Sequence, residues 1–265
     1  MKQKILTEKY FASAAEADPE QKLALTALVT KIIDIATSHA NSLGIGNPSM
    51  EHLNAGWVLS RLTVEMERYP AVNQDYTLHT WVEGWNRHFS QRAFRVDDMD
   101  GNPIGYARSI WMVLNKATRE GVSLEHLDFD TSLIDNGMQC PISRQARHIP
   151  IVATSGEDLP KGALIAAAPP RPYTFKYCDL DSYRHVNTVR YLTMLLNQFS
   201  LEDFDAAFVK RLEMSFLHEA RYGMPVEIMR HDRAPEGDVS QSSFSLVEKE
   251  SGTPLLFARL VMQRR

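Results

Sequence analysis

Two stretches in the second half of the chain carry side chains able to move protons. Residues 179–192 read DLDSYRHVNTVRYL and place Asp181 four positions before His185, with Asn187 two further on. Residues 216–223 read FLHEARYG and add Glu219. A carboxylate and an imidazole can orient a water molecule and take its proton near neutral pH, which is the chemistry of hydrolysis. Taken singly, each residue has a plainer explanation. Asp181 reads as an ordinary helix N-cap, His185 as a helix-capping histidine, and Glu219 as a surface strand residue. Phe208, Leu212, Met214 and Phe216 share one parity in a strand expected over 206–219, and Glu219 has the other. Either a bulge re-aims it or the opposite face also lines the site. The two cysteines, Cys140 and Cys178, have no zinc-ligand spacing and cannot build a disulfide framework. Cys178 reads as a small buried residue. No metal and no cofactor are expected.

These side chains need elements to hold them. In the second half, Pro172–Tyr177 reads as a short strand. A helix follows over about 186–199, with Val189, Leu192, Leu195, Leu196 and Phe199 on one stripe. Strands are expected over 206–219, 225–231, 239–249 and 254–264. The first half has the same order. A strand over 5–12 precedes Asp18-Pro19-Glu20-Gln21, which reads as a helix start with Asp as N-cap and Pro at the first helical position. Leu25, Leu28, Ile32, Ile35 and Ala36 mark that helix's apolar face, and Gly44 and Gly46 end it. Strands follow over 54–68, 75–86, 90–98 and 103–115.

The two halves are also related in wording. DGNPIGYARSIWMV at 100–113 and SGTPLLFARLVMQR at 251–264 align with a shift of 151 positions. Gly101 then meets Gly252, Pro103 meets Pro254, and Ala107-Arg108 meets Ala258-Arg259. The fold class is therefore α+β, with one long helix burying its stripe in an antiparallel sheet in each half. The expected division is 1–135, a connecting segment over 136–170 that carries Pro141, Pro150, Pro160, Pro169 and Pro170, and 171–265.

A formal net charge of −4 over 265 residues argues against general nucleic-acid binding. The longest apolar stretch, 163–168, is too short to span a bilayer. The N-terminal residues resemble neither a signal nor a transit peptide, so a reducing cytoplasm is the expected compartment.

Five phrases in order now carry a family resemblance. They are NAGWVLSR at 54–61, RYP at 68–70, TWVEGWNRHFSQRAFRVDDMDG with ARSIWMVLNKATR, and the two stretches that open this section. The series is similar to the acyl-acyl-carrier-protein thioesterases of plants and bacteria. The resemblance implies a tandem (double) hot-dog fold, with the catalytic groups on the second half and an acyl-chain pocket shaped by the first. It implies hydrolysis of fatty-acyl thioesters on the phosphopantetheine arm of an acyl carrier protein. It also implies Asp181, His185 and Glu219 as catalytic residues, and Tyr183, Asn187, Asn54 and Trp57 as substrate-binding ones. The family phrase is Asp-x-Asn-x-His, and Tyr183 stands where the Asn belongs. Ala220 stands where many plant members have a cysteine, so no thiol nucleophile exists there.

Thioester hydrolysis needs an activated water, an oxyanion donor and a leaving thiolate. Backbone N–H groups around Tyr183–Val186 are one expected source of that donor. Which of His185 and Glu219 takes the proton stays open. A pocket-lining Asn54 and a merely buried strand Asn are equally good readings. The first half lacks an Asp-x-x-x-His phrase, so one active site per chain is expected. An acidic carrier protein would dock on a basic patch, for which Lys116, Arg119, Arg144, Arg147, Arg171 and Lys176 are candidates. The alternatives are a hot-dog dehydratase, a thioesterase for coenzyme A esters and a non-catalytic acyl-carrier binding module. A monomer and a homodimer are both compatible with a tandem fusion.

Overall fold

A computed structural model of the protein describes residues 2–134, 137–143, 164–167, 169–233 and 235–265. The chain divides into two compact units, Met1–Gln145 and Ala146–Arg265.

The first unit opens with β1 (Ile5–Phe11) and a 3-10 turn at Ala14–Glu16. The long helix α1 (Leu25–Leu43) follows. Its buried face is Leu25, Leu28, Val29, Ile32, Ile35, Ala36, His39, Ala40 and Leu43, a stripe of helical spacing. Gly44 ends it at φ 81°, a left-handed conformation that costs glycine nothing. Then come β2 (Ala55–Met66), β3 (Asp75–Trp85), β4 (Ser90–Asp97), β5 (Pro103–Asn115) and the short β6 (Gly121–Val122). All pair antiparallel in the order β1-β3-β4-β5-β2, with β6 added to β5.

The second unit contains β7 (Leu164–Ala167), β8 (Arg171–Thr174), α2 (Thr188–Leu196), α3 (Leu201–Ala206), β9 (Ala207–Phe216), β10 (Pro225–Arg233), β11 (Val239–Glu248) and β12 (Pro254–Arg264). Its sheet runs β9-β12-β11-β10, again antiparallel, and β10 also pairs with β7 and β8. The register repeats between units. Phe94 faces Ala107 across β4 and β5, and Phe244 faces Ala258 across β11 and β12. Gly101 (φ 84°) and Gly252 (φ 69°) hold the same left-handed position in the two hairpin turns.

Three expectations need correction. Asp18 does not start a helix. Its carboxylate accepts the Lys22 N–H at 2.8 Å, Gln21 sits at φ 58°, and α1 begins only at Leu25. The helix expected over 186–199 is Thr188–Leu196, and a separate α3 follows. Ser200 starts α3 with a capping box, its hydroxyl accepting from Asp203 N–H while the Asp203 carboxylate accepts from Ser200 N–H. The strand expected over 206–219 stops at Phe216.

Candidate active site

The second unit builds the site on a tight turn. Asp181 N–H donates to the His185 carbonyl at 2.8 Å, and Arg184 N–H donates to the Asp181 carbonyl at 3.0 Å. Arg184 takes φ 64° to close the loop. The Asp181 carboxylate fills the turn's interior: one oxygen accepts Tyr183 N–H at 2.8 Å and His185 N–H at 3.0 Å. Short acidic side chains bond their own downstream backbone readily, which is why Asp suits this position. Asp181 therefore fixes the backbone that carries His185.

Glu219 arrives from the other side. Just past β9, the N–H groups of Leu217 and His218 both point at the Leu255 carbonyl, at 2.9 and 3.4 Å. Two residues opposing one is a bulge, and it removes Glu219 from the strand's alternation. The loop then docks on the turn. Val186 N–H donates to the Ala220 carbonyl at 2.9 Å, and His185 bridges Arg221 in antiparallel fashion. The result places His185 Nε2 3.4 Å from Glu219 Oε2, with side chains 22% and 30% exposed. That separation is within ion-pair range and slightly long for a hydrogen bond, as in many catalytic pairs before substrate arrives. The pair is open enough to meet a substrate and shielded enough to be held in place.

The helix start lies two residues beyond the histidine. Asn187 is the N-cap of α2, its side-chain oxygen accepting Val189 N–H at 2.8 Å. This capping fixes the amide so that its Nδ2 donors face away from the helix. Neither those donors nor Thr188 N–H has a partner among the described residues. The expected oxyanion donors are a correction. The N–H groups of Tyr183, Arg184, His185 and Val186 are all committed to Asp181 or Ala220. Tyr183 itself is 50% exposed at the rim of the turn.

Sequence reasoning passed over two supports. Tyr191 is buried beneath the turn, its ring 5.7 Å from Phe175 and 5.8 Å from Phe216. Burial pushes its hydroxyl well above the usual phenol range, so it packs as a neutral group against Ala220. Asp179 is buried and accepts Tyr173 hydroxyl at 2.9 Å and Lys176 N–H at 2.7 Å, and its carbonyl takes Asn187 N–H at 2.8 Å. Tyr191 lies on the helical stripe's edge and Asp179 inside the quoted phrase, but only the folded turn gives them a task. Cys178 is exposed, contrary to the buried reading, because it points outward from a 3-10 turn at Tyr177–Asp179.

Asn54 and Trp57 belong to the first unit. Asn54 is exposed at φ 45°, ψ 45°, and closes the 3-10 helix Asn47–Leu53. That left-handed turn explains an asparagine there without a ligand or a buried strand. Trp57 is partly buried. Its indole N–H donates to the Ile45 carbonyl at 2.7 Å, and its ring meets Trp85 edge-on at 5.9 Å. Of the basic candidates, Lys116, Arg171 and Lys176 are exposed and Arg119 is partly so, while Arg144 and Arg147 lie outside the described residues. Among the described residues, no group of three or more His, Cys, Asp or Glu side chains is placed to hold a metal ion.

Residues 3–126 match the family described as acyl-ACP thioesterase N-terminal domain, and residues 164–255 match the acyl-ACP thioesterase C-terminal domain. Oleoyl-acyl carrier protein thioesterase 1, chloroplastic, of Arabidopsis thaliana is 23% identical over 90% of this chain and 67% of its own length. Palmitoyl-acyl carrier protein thioesterase, chloroplastic, of Gossypium hirsutum is 23% identical over 81% of this chain and 52% of its own. The chain thus spans half to two thirds of these plant relatives. Among solved structures, an acyl-ACP thioesterase from Bacteroides thetaiotaomicron is 27% identical with a TM-score of 0.79, covering 98% of both chains. The 12:0-ACP thioesterase from Umbellularia californica superposes with a TM-score of 0.82 at 16% identity, over 100% of this chain and 96% of that one. The fold is a double hot-dog.

Proposed function

The chain belongs to the acyl-ACP thioesterase family, and from that premise we propose that it hydrolyses fatty-acyl thioesters of acyl carrier protein to free fatty acid. The observation that carries the reading is the His185–Glu219 pair at 3.4 Å, with His185 set on a turn whose Asp181, Tyr183, Arg184, His185 and Val186 N–H groups are all hydrogen-bonded.

In this reading a water molecule binds against the pair and attacks the thioester carbonyl. Its oxygen forms the new C–O bond, and its proton passes to the His185–Glu219 pair. The C–S bond then breaks and the pantetheine thiolate takes that proton. A thiol's ordinary pKa of about 8.5 makes it a good leaving group, so a strong general acid is unnecessary. Negative charge develops on the carbonyl oxygen. The Asn187 Nδ2 donors and Thr188 N–H, at the positive end of α2, suit that oxygen. Asn187 thereby does the polarising that Tyr183 cannot do with an amide. Trp57, in the first unit, is assigned to the acyl-chain side of recognition.

The carrier protein is the partner. Exposed Arg184, Arg190 and Arg221 join Arg171 and Lys176 as cations on the second unit, and Tyr177, Tyr183 and Tyr222 are 83%, 50% and 69% exposed. Cations and exposed aromatics suit an acidic protein carrying a pantetheine arm. A cytoplasmic setting belongs to the same proposal and rests on Cys140 and Cys178 being free thiols.

The test is thiol release from acyl carrier proteins of graded chain length. Hydrolysis by wild type and its loss in His185→Ala support the reading. Equal background rates in both would leave only binding, and an unsaturated product from a hydroxyacyl carrier protein offered in the same assay would mean dehydration.

A further inference from the structure

The first unit's sheet carries a hydroxyl, an imidazole and a carboxylate in one line, on the face turned away from α1. Tyr10 and Arg92 have the parity that meets α1, at Lys31 and His39, and Thr7, His79 and Arg95 have the other. Thr7 on β1 pairs with His79 on β3, which pairs with Arg95 on β4. Thr7 Oγ1 lies 2.9 Å from His79 Nδ1, and His79 Nε2 lies 2.9 Å from Asp97 Oδ2. Arg95 donates to that same oxygen at 2.6 Å, so the carboxylate beside it is ionised and only accepts. Nε2 therefore carries the ring hydrogen, and in the neutral ring Nδ1 keeps a lone pair for the Thr7 hydroxyl. Exposure falls along the line: Thr7 is exposed, the His79 side chain is 13% exposed and Asp97 is 3% exposed.

The fold does not require this line. With Phe94 matching Phe244, the second unit has Met229, Ser245 and Val247 where the first has His79, Arg95 and Asp97. Asp97 also departs from a purely structural carboxylate. His79 and Arg95 both bond Oδ2, while Oδ1 is buried with no partner among the described residues. Leaving a buried acceptor bare costs stability, and such groups call for a role beyond packing. The backbone adds a donor. β1 stands at the end of the strand order, and Ala12 N–H, just past it, donates to the Gln74 carbonyl at 2.9 Å. Alternation then turns the N–H groups of Leu6, Glu8 and Tyr10 toward β3 and that of Thr7 toward the sheet's edge. Thr7 and His79 are thus a non-hydrogen-bonded pair, the kind whose side chains come closest.

We propose that Thr7, His79 and Asp97 form a second, nucleophilic site, at which Thr7 accepts an acyl group from an ester or thioester with a good leaving group. A hydroxyl is a weak nucleophile until a base takes its proton, and an imidazole oriented by a buried carboxylate is such a base. Thr7 Oγ1 forms a bond to the acyl carbon while its proton passes to His79 Nδ1. The bond from that carbon to the leaving oxygen or sulfur breaks, and the leaving group departs with the proton. Thr7 N–H is the donor available to the carbonyl oxygen while it carries negative charge. Asp97 is a positioning residue: it fixes the ring's tautomer and direction through Nε2. The product is an O-acyl threonine on β1. Nothing in this site depends on the hydrolysis assigned to the second unit.

The test is acetylation of the full chain by p-nitrophenyl acetate, with the label located by peptide mass spectrometry. Hydroxylamine removes an acetyl held as a threonine ester and leaves one held as a lysine amide, so the two are told apart. Wild type should carry a hydroxylamine-labile acetyl on Thr7. His79→Gln should slow its formation about 10²-fold or more, the range for a positioned base. Asp97→Asn should also slow it, because the ring can then turn or change tautomer. Thr7→Val should lose the label, and Thr7→Ser should restore it at the same position. His185→Ala should label Thr7 at the wild-type rate, so failure of this site and failure of hydrolysis read out separately. An unlabelled Thr7 in wild type overturns the proposal, whatever the variants do. So does labelling of Thr7 at an equal rate in His79→Gln. Labelling that disappears in His185→Ala would place the chemistry in the second unit and overturn it as well.

Discussion

The turn Asp18–Lys22 of the first unit and the turn Asp181–His185 of the second share a backbone and part company at their side chains. Asp18 N–H donates to the Lys22 carbonyl at 2.8 Å, Gln21 N–H to the Asp18 carbonyl at 3.1 Å, and Lys22 N–H to the Asp18 carboxylate at 2.8 Å. Gln21 takes φ 58°, where Arg184 takes 64°. Leu23 N–H docks on the Pro70 carbonyl at 2.8 Å as Val186 docks on Ala220, and Lys22 bridges Ala71 as His185 bridges Arg221. Lys22 thus stands where His185 stands, and Tyr69 where Glu219 stands. Burial, followed by the nearby Asp18 charge, pushes the Tyr69 hydroxyl far above the phenol range, so it accepts no proton. The turn is scaffold in both units. Chemistry follows from two side chains placed on one of them.

The sharpest way to break this comparison is to truncate both pairs. His185→Ala or Glu219→Gln should slow thiol release roughly 10²–10⁴-fold, the range for a positioned acid or base. Lys22→Ala and Tyr69→Phe should leave turnover within about threefold of wild type, the small effect expected away from the reacting atoms. A large loss from either first-unit variant would show that the two turns are not divided into catalyst and scaffold.

A second contrast separates scaffold from chemistry. Asp18→Ala and Asp181→Ala each leave turn N–H groups without an acceptor, and should each destabilise by about 1–3 kcal/mol in urea unfolding. Only Asp181→Ala should also lower kcat, because only there does the turn carry the imidazole.

The interiors differ as the turns do, and pH reports it. Burial, and then the charge of Arg92, whose Nη1 donates to His39 Nδ1 at 2.7 Å, push the His39 pKa down to about 4. That lies below its ordinary 6.5, so the unfolded chain binds more protons between those values. This contribution to stability is complete above pH 6.5 and is lost as pH falls toward 4. Between pH 7 and 5 the wild type should lose up to about 2 kcal/mol that His39→Gln does not lose, read by urea unfolding at both values.

The smallest effect concerns the rims. Exposed Tyr183, Arg184, Arg221 and Tyr222 surround the second turn, where the first has Glu20, Gln21, Ala71 and Val72. Arg184→Ala with Arg221→Ala should raise KM for acyl carrier protein several-fold at unchanged kcat, and the difference should shrink as salt rises.

Much of this was legible in the sequence. The ladder strands followed from alternation, and the repeated Gly-x-Pro and Ala-Arg phrases fixed the two hairpins because positive φ and cross-strand pairing constrain those positions. What misled was local ambiguity. Asp18-Pro19-Glu20-Gln21 satisfies the signals of a helix start and of an Asx-stabilised turn alike, and only Gln21's left-handed backbone decides between them. Glu219 could not be aimed from parity, because its direction depends on a bulge shared with Leu255. The Asp181 carboxylate looked available to the imidazole until its backbone partners were seen. Arg92 gave no sign in sequence of being buried, since its partner His39 lies 53 positions away.

The central claim is that His185 and Glu219 act as one unit on a water molecule. A double-mutant cycle in single-turnover hydrolysis, using His185→Ala, Glu219→Gln and the double variant, tests it most directly. The account predicts that the double variant is about as slow as the slower single one, since either loss disables the pair. Rate losses that multiply, or a single variant turning over at the wild-type rate, would contradict it.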